Sequence, residues 1–441
     1  MVTTPRGVGR RGGQSVDRFA LAFDDERAVA NAGLVLASTL AGRLGIEQVV
    51  DETVDLGARP GAARPGRKLL TLVCSALVGG DSIDDAGVLR SGETQRVLGH
   101  RVMAPSTLGT FLRSFTFGHV RQLDRAFETI LARAWAAGVG PGPEPLTIDL
   151  DSTIIEVAGD AKQGASFGYT KRRGYHPLLA TRADSGEVLH ARMRKGSAQS
   201  QRGAERFVRE LMARVRRLGA SGPLLVRADS GFWSNKTIAA LEQHGARYSI
   251  GVSQHESVRR AIEQIPEQSW QALDDYPPGG LAEIAEGSLG AHRLIVRRTR
   301  LVGAQAELFP DWRYHAFVTN RVEPLAFVER DHRRHAQIEL AIRDLKEGSG
   351  LNHAPSGSFS ANAAWLLISS LAHNLARWIA HLGLDVSGPI VAETIRRRYL
   401  TVPGRITQSA RRVTLHMPAR WPWRESFSYA LARLRAIPLL A

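Results

Sequence analysis

Two apolar runs in this chain each stop at an aspartate: "LTIDLD", ending at Asp151, and "LLVRAD", ending at Asp229. Short apolar runs bounded by turn formers read as buried strands. A strand sends residues i and i+2 to one face, so Asp149 and Asp151 point the same way, with Asp151 nearer the strand's end. A buried strand must lie inside a sheet covered on both faces. The residues around the two runs therefore have to supply more strands and the helices to cover them.

They do. "YHPLLATRAD", a turn at Ser185-Gly186 and "EVLHARMRKG" form a hairpin of alternating character. Residues 200–218 form an amphipathic helix. The "LLVRAD" strand follows, then the helix "SNKTIAALEQHG" and the strand "ARYSIGVS". Three strands, helix, strand, helix, strand is the order of a ribonuclease-H-like α/β core with a mixed sheet, expected over 146–254 and 326–383. Residues 255–325 break the rhythm with the strands "RLIVRRTRLVG" and "WRYHAFVTN" among turns, and read as a β-rich insertion. Before the core, "GVGPGPEP" (138–145) is a Pro/Gly linker. Residues 17–140 ahead of it are helical. Ser106 is placed to cap a helix carrying Leu108, Phe111, Leu112 and Phe115, and Gly118 separates it from a second with Val120, Leu123, Phe127 and Leu131. Such a pair suits a DNA-reading helix-turn-helix and an ordinary bundle equally well. Residues 1–16 read as a disordered basic tail, and 384–441 as a basic C-terminal region that includes "RRR" at 396–398.

Acids at two strand ends form a plausible metal site, since hard Mg²⁺ prefers oxygen ligands. The plainer alternative is that each aspartate caps a turn. A third acid, Glu339, lies in the helical stretch "HAQIELAIRDLK". Lys346 follows it by seven residues, about 700° of helix rotation, and His335 and His332 precede it by four and seven. In an uninterrupted helix all four share one stripe, which could hold a metal and a phosphate backbone or could simply face water.

The net charge is +15, from 58 Lys and Arg against 43 Asp and Glu. An excess of this kind concentrates a polyanion at the surface, although it can also serve solubility. Cys74 is the only cysteine and sits in the apolar "LLTLVCSALVGG", which excludes an internal disulfide and a cysteine zinc cluster. No run approaches the roughly 18 apolar residues of a membrane span. The N-terminal twin arginine lacks an apolar export segment, so a cytoplasmic protein without membrane partners is expected.

Four stretches together resemble the DDE transposases of bacterial insertion sequences, of the DDE domain group 1 type. They are "DLDSTIIEVAGDAKQGASFGYTKRRGYHPLLA", "VRADSGFWSNKTIAAL", "YHAFVTN" and "IELAIRDLKEGSGLNHAPSGSFSANAAWLLISSLAHNLARWI". Related transposases carry Y-x2-R-x3-E-x6-K on the third-acid helix. Glu339 and Lys346 keep that spacing, while His332 stands for the tyrosine and His335 for the arginine. The resemblance selects Asp151, in "DST", over Asp149 as the first catalytic acid, and implies Asp151, Asp229 and Glu339 as ligands of two Mg²⁺ ions, for which Mn²⁺ can substitute. It implies that Lys171, Arg172, Arg173, His176, His332, His335 and Lys346 contact DNA. Trp312 and Tyr314 become candidates to stack on a flipped base, or else are core aromatics. The implied function is a DNA transposase, an enzyme of phosphoryl transfer that binds terminal inverted repeats through residues 17–140, cleaves DNA and joins the 3′ end to target DNA as a homodimer on the nucleoid. A metal nuclease without strand transfer and an inactive DNA-binding derivative are the rival readings.

Overall fold

The computed structural model describes residues 20–168, 170–273, 276, 279–302 and 311–439; the expected tail, 1–16, lies outside them. After a short strand, β1 (Ala28–Val29), come six helices: α1 (Leu34–Arg43), α2 (Ile46–Thr53), α3 (Pro65–Leu77), α4 (Thr94–Leu98), α5 (Pro105–Arg113) and α6 (Phe117–Ala134). α5 begins one residue before the expected cap, with Pro105 in its first turn, where a missing N–H costs nothing. Gly118 is not the separator: Thr116 caps α6 by accepting from the His119 N–H, and His119 returns the bond.

The chain then enters β2 (Leu146–Ser152), followed by β3 (Ile155–Glu156), β4 (Ser166–Phe167) and β5 (Arg173–Tyr175), which pair as a small sheet of their own. The hairpin β6 (Leu178–Arg182) and β7 (Val188–Arg192) leads through α7 (Ala204–Arg217) to β8 (Leu224–Ala228), and through α8 (Asn235–Gln243) to β9 (Arg247–Val252). Gly186 makes the hairpin turn at φ 70°, a conformation open to glycine at little cost. α9 (Glu256–Glu263) precedes β10 (Gln271–Ala272), β11 (Gly280–Leu289), β12 (His292–Leu301) and β13 (Arg313–Thr319). The nine-stranded sheet runs β10-β11-β12-β13-β9-β8-β2-β6-β7. β2, β8 and β9 are parallel and the other pairings antiparallel. The β-rich residues after α9 thus extend the central sheet, with β13 bonded directly to β9.

α10 (Leu325–Arg333), α11 (Gln337–Gly348), α12 (Phe359–Trp378), α13 (Ala392–Ile395), the pair β14 (Gly404–Ser409) and β15 (Arg412–His416), and α14 (Arg424–Ala436) complete the chain. α12 is buried at every position from Ala361 to Trp378. A helix buried on every side has to be enclosed by other elements: α3, α5 and α6 pack on it together with β7, and its buried Asn362, Asn374 and Arg377 are hydrogen-bonded within the core. The N-terminal helices and the sheet therefore share one hydrophobic core, and the Pro/Gly segment at 138–145 is no break in packing.

Candidate active site

Register places the first two acids side by side. β2 and β8 run parallel with Leu150 opposite Ala228, so Asp151 and Asp229, each one residue further on, emerge together at the same sheet end. Each also makes the local bond of a turn-capping aspartate. Asp151 Oδ1 accepts from the Ser152 N–H at 2.6 Å, and Asp229 Oδ1 accepts from the Gly231 N–H at 3.0 Å. Capping and ligation are compatible, because one carboxylate oxygen is used and the other is not. Gly231 is required there: a Cβ would lie 2.6 Å from Ser200 Cβ and 3.1 Å from Asp229 Oδ1.

Glu339, in the first turn of α11, is exposed, and its charge reaches Asp151. Burial pushes the Asp151 carboxyl up to about 6, and the negative charges of Asp229 and Glu339 push the same way. Burial also raises Asp229. No Lys or Arg forms an ion pair with Asp151, Asp229 or Glu339 among the described residues. The three carboxylates are the hard oxygen donors that a divalent cation takes; His335 pulls Asp151 and Asp229 the other way without offsetting their burial, and a bound cation would relieve the repulsion that is left. They are not closed on one point: among the described residues no three His, Cys, Asp or Glu side chains converge closely enough to enclose a metal ion. Among the described residues no side-chain hydrogen bond or ion pair fixes the Glu339 carboxylate, which leaves it room to move toward the other two.

Asp149 has a different fate two residues away. It is fully buried, and register sets it opposite Arg227. The guanidinium donates to both oxygens, Nε to Oδ1 at 2.7 Å and Nη2 to Oδ2 at 2.9 Å. Burial raises the Asp149 pKa against the pull of Arg227; the two-pronged geometry favours the ionised pair. Arg227 Nη1 continues to the Asp331 carbonyl at 2.7 Å, tying β2 and β8 to the end of α10. Arg227 was missed in the sequence, yet it precedes Asp229 by the same two residues that separate Asp149 from Asp151.

The histidines need correction. His176 cannot touch a DNA strand, because it is fully buried with both nitrogens engaged. Nδ1 donates to the Ala198 carbonyl at 2.7 Å, and burial keeps the ring neutral, so Nε2 accepts from Ser152 Oγ at 2.8 Å. Ser200 Oγ lies 3.2 Å from Ser152 Oγ. This chain braces Ser152, whose N–H holds Asp151. His332 stacks on Phe317 with ring centroids 4.0 Å apart and bonds to Ser249 Oγ at 2.8 Å. Burial drives its pKa down to about 3, so it brings no cation to a phosphate. The stripe expected from one continuous helix does not form, since a 3-10 turn at Arg334–Ala336 separates α10 from α11. The tighter 3-10 winding shifts the faces.

His335 stays at the site, where its Nε2–H donates to the Leu150 carbonyl at 2.9 Å. Lys346 Nζ donates to the Ile154 carbonyl at 2.7 Å, and so holds the chain just past Asp151. In the small sheet, Lys171 is exposed with φ 56°. Arg172 pairs with Glu156 at 2.6 Å, and Arg173 binds Asp160 and the Gly159 carbonyl. Trp312 and Tyr314 lie at the start of β13, which runs against β9 with Ala316 opposite Val252. Both are thus at the carboxylate end of the sheet. Trp312 stacks with Arg298 and Arg300 at 4.5 and 4.6 Å, and Tyr314 packs on Trp270.

A family model described as "Transposase DDE domain group 1" matches residues 14–439. No curated protein matches the chain. Among solved structures, a piggyBac transposase synaptic complex with hairpin DNA is similar at 12% identity and a TM-score of 0.47, over 85% of this chain and 80% of that one.

Proposed function

The chain belongs to the transposase DDE domain group 1 family, and from that premise we propose that it is a DNA transposase of a bacterial insertion sequence. On this reading it binds the element's ends, cleaves DNA and transfers the 3′ end, using two Mg²⁺ ions held by Asp151, Asp229 and Glu339. The observation that carries the reading is the pair of strand-end carboxylates with no Lys or Arg paired to them among the described residues, beside a third on α11. Counted alone, β7-β6-β2-β8-β9 follows the 3-2-1-4-5 order of a ribonuclease-H-like sheet, which supports that assignment for the core.

Bound divalent ions would lower the pKa of a water or 3′-hydroxyl nucleophile and stabilise the leaving oxygen. The chain's own residues do the positioning. Ser152, braced by His176 and Ser200, orients Asp151. Arg227 and Asp149 fix the two strands against each other. Lys346 anchors the backbone at Ile154. Exposed Lys171 and Arg172 would meet the phosphates of the strand brought to the acids, and Trp312 or Tyr314 would stack on an unpaired base. End recognition belongs to residues 17–140 in this reading, and two copies assemble on the DNA.

The test is cleavage of element-end DNA with Mg²⁺, followed by strand transfer. Both should occur with the wild type and neither with Asp151→Ala, while end binding persists. Cleavage without joining would favour a nuclease, and binding without either reaction an inactive derivative.

A further inference from the structure

The C-terminal ribbon carries a second, separate charge feature. Residues 396–424 hold eight arginines and no Asp or Glu. Within them β14 and β15 form a hairpin closed by a two-residue turn, Ala410-Arg411; β1 pairs with its base, Ala28 opposite Arg405 and Val29 opposite Gly404, and beyond that pairing the hairpin continues as a two-stranded ribbon. Ala410 sits at φ 52°, a left-handed conformation that costs a non-glycine residue roughly 1 kcal/mol or more.

The faces of the ribbon divide by chemistry. Strand alternation and register put Ile406, Gln408, Val413 and Leu415 on one face. Ile406 is buried with Val29 and Ala32, Leu415 packs on the same cluster, and Gln408 accepts from Arg96 at 2.9 Å. That face docks the ribbon to β1 and the N-terminal helices. The opposite face is Arg405, Thr407, Ser409, Arg412, Thr414 and His416. Arg405 lies 3.5 Å from Asp25. Arg411 and Arg412, at the tip, are exposed, and their side chains have no hydrogen bond or ion pair among the described residues.

We propose that the β14–β15 ribbon is a duplex-DNA binding element, distinct from the carboxylate site, that lays Arg411 and Arg412 against the phosphates of one groove. The inference rests on the transposase reading for its ligand. A face of arginine and hydroxyl side chains is the donor set that holds DNA backbone, and a two-stranded ribbon fits the major groove, about 12 Å wide. A solubility patch would not need an apolar underside that fixes the orientation of its cationic face. Phosphate contacts carry no sequence information, so this element binds any duplex.

The test is fluorescence anisotropy of the full chain with a random-sequence duplex across a salt series. Wild type should bind. Arg411→Gln/Arg412→Gln should bind about tenfold more weakly at low salt, and its slope of log affinity against log salt should be shallower by about two units, close to 0.9 per lost contact. Its melting temperature should match wild type, since both side chains are exposed. Equal affinity and slope in the two proteins would overturn the ribbon assignment while leaving the transposase reading in place. A wild type that binds no duplex at all would overturn both.

Discussion

Two acid clusters in this molecule have opposite electrostatic settings. Between α6, β7 and α7, Asp124 and Glu210 are ringed by cations. Arg214 meets Asp124 at 2.8 Å, Arg121 lies 3.3 Å from both acids, and Arg192 pairs with Glu210. His190 lies between them, 3.7 Å from Asp124 Oδ1 and 3.5 Å from Glu210 Oε2. Burial pushes Asp124 up, but the His190 contact and the Arg214 guanidinium outweigh it and hold the carboxyl well below its usual range. At the end of β2 and β8, burial pushes Asp151 up, His335 pulls only partly against it, and among the described residues no arginine pairs with it. Residue type does not separate the clusters; neighbours do. Where the fold needs a buried acid for itself it supplies the counter-charge, and where it withholds one the charge is left for something from outside.

The largest expected effect is on activity. Asp151→Ala, Asp229→Ala and Glu339→Ala should each reduce element-end cleavage to background, whereas Asp124→Asn should leave residual activity in whatever fraction stays folded. Cleavage by an Asp151→Ala protein would end the distinction between the clusters.

Stability should move in opposite directions. Asp124→Asn takes from buried Arg214 the nearer of its two carboxylates, with Glu128 remaining at 3.3 Å, and should cost about 3 kcal/mol in denaturant unfolding. Asp151→Asn should stabilise the metal-free protein. The folded-state pKa of Asp151, about 6, lies above its ordinary 3.8. The protonated form is therefore tolerated, and a penalty grows as pH rises between those values, reaching up to about 3 kcal/mol above pH 6. The gain from Asp151→Asn should thus be present near neutral pH and vanish near pH 4. A loss of stability at neutral pH would mean that Asp151 already has a counter-charge.

A smaller effect is expected from Lys346→Ala. Its Nζ is committed to the Ile154 carbonyl, so cleavage should fall about tenfold, as for residues that orient metal ligands, with the salt slope of DNA binding unchanged. A slope lower by one unit would instead make Lys346 a phosphate contact.

How much of this was legible in the sequence follows from the range of each interaction. β2 and β8 were legible because their apolar runs stop at acids, and the β6–β7 hairpin because Ser185-Gly186 marks its turn. The shared core was not. The long, largely apolar run of α12 marks it as buried, but nothing local says that α3, α5 and α6 do the enclosing. The 3-10 turn at Arg334–Ala336 has no Pro or Gly to announce it. His176 and His332 resemble cations in the sequence, but the fold buries both, and burial lowers their pKa values against the pull of the Ala198 and Ser249 bonds. The partner of Asp149 was within reach, since aligning "IDLD" with "VRAD" puts Arg227 opposite it.

The central claim is that Asp151, Asp229 and Glu339 are un-neutralised because they hold divalent metal. Titrating Mg²⁺ into the metal-free protein near neutral pH, with melting temperature and heat of binding as readouts, tests it without reference to catalysis. Wild type should bind and be stabilised, by about 2.7 kcal/mol at a hundredfold excess over Kd, and Asp151→Asn should show neither heat nor shift. No response in the wild type, or the same response in Asp151→Asn, would contradict the account.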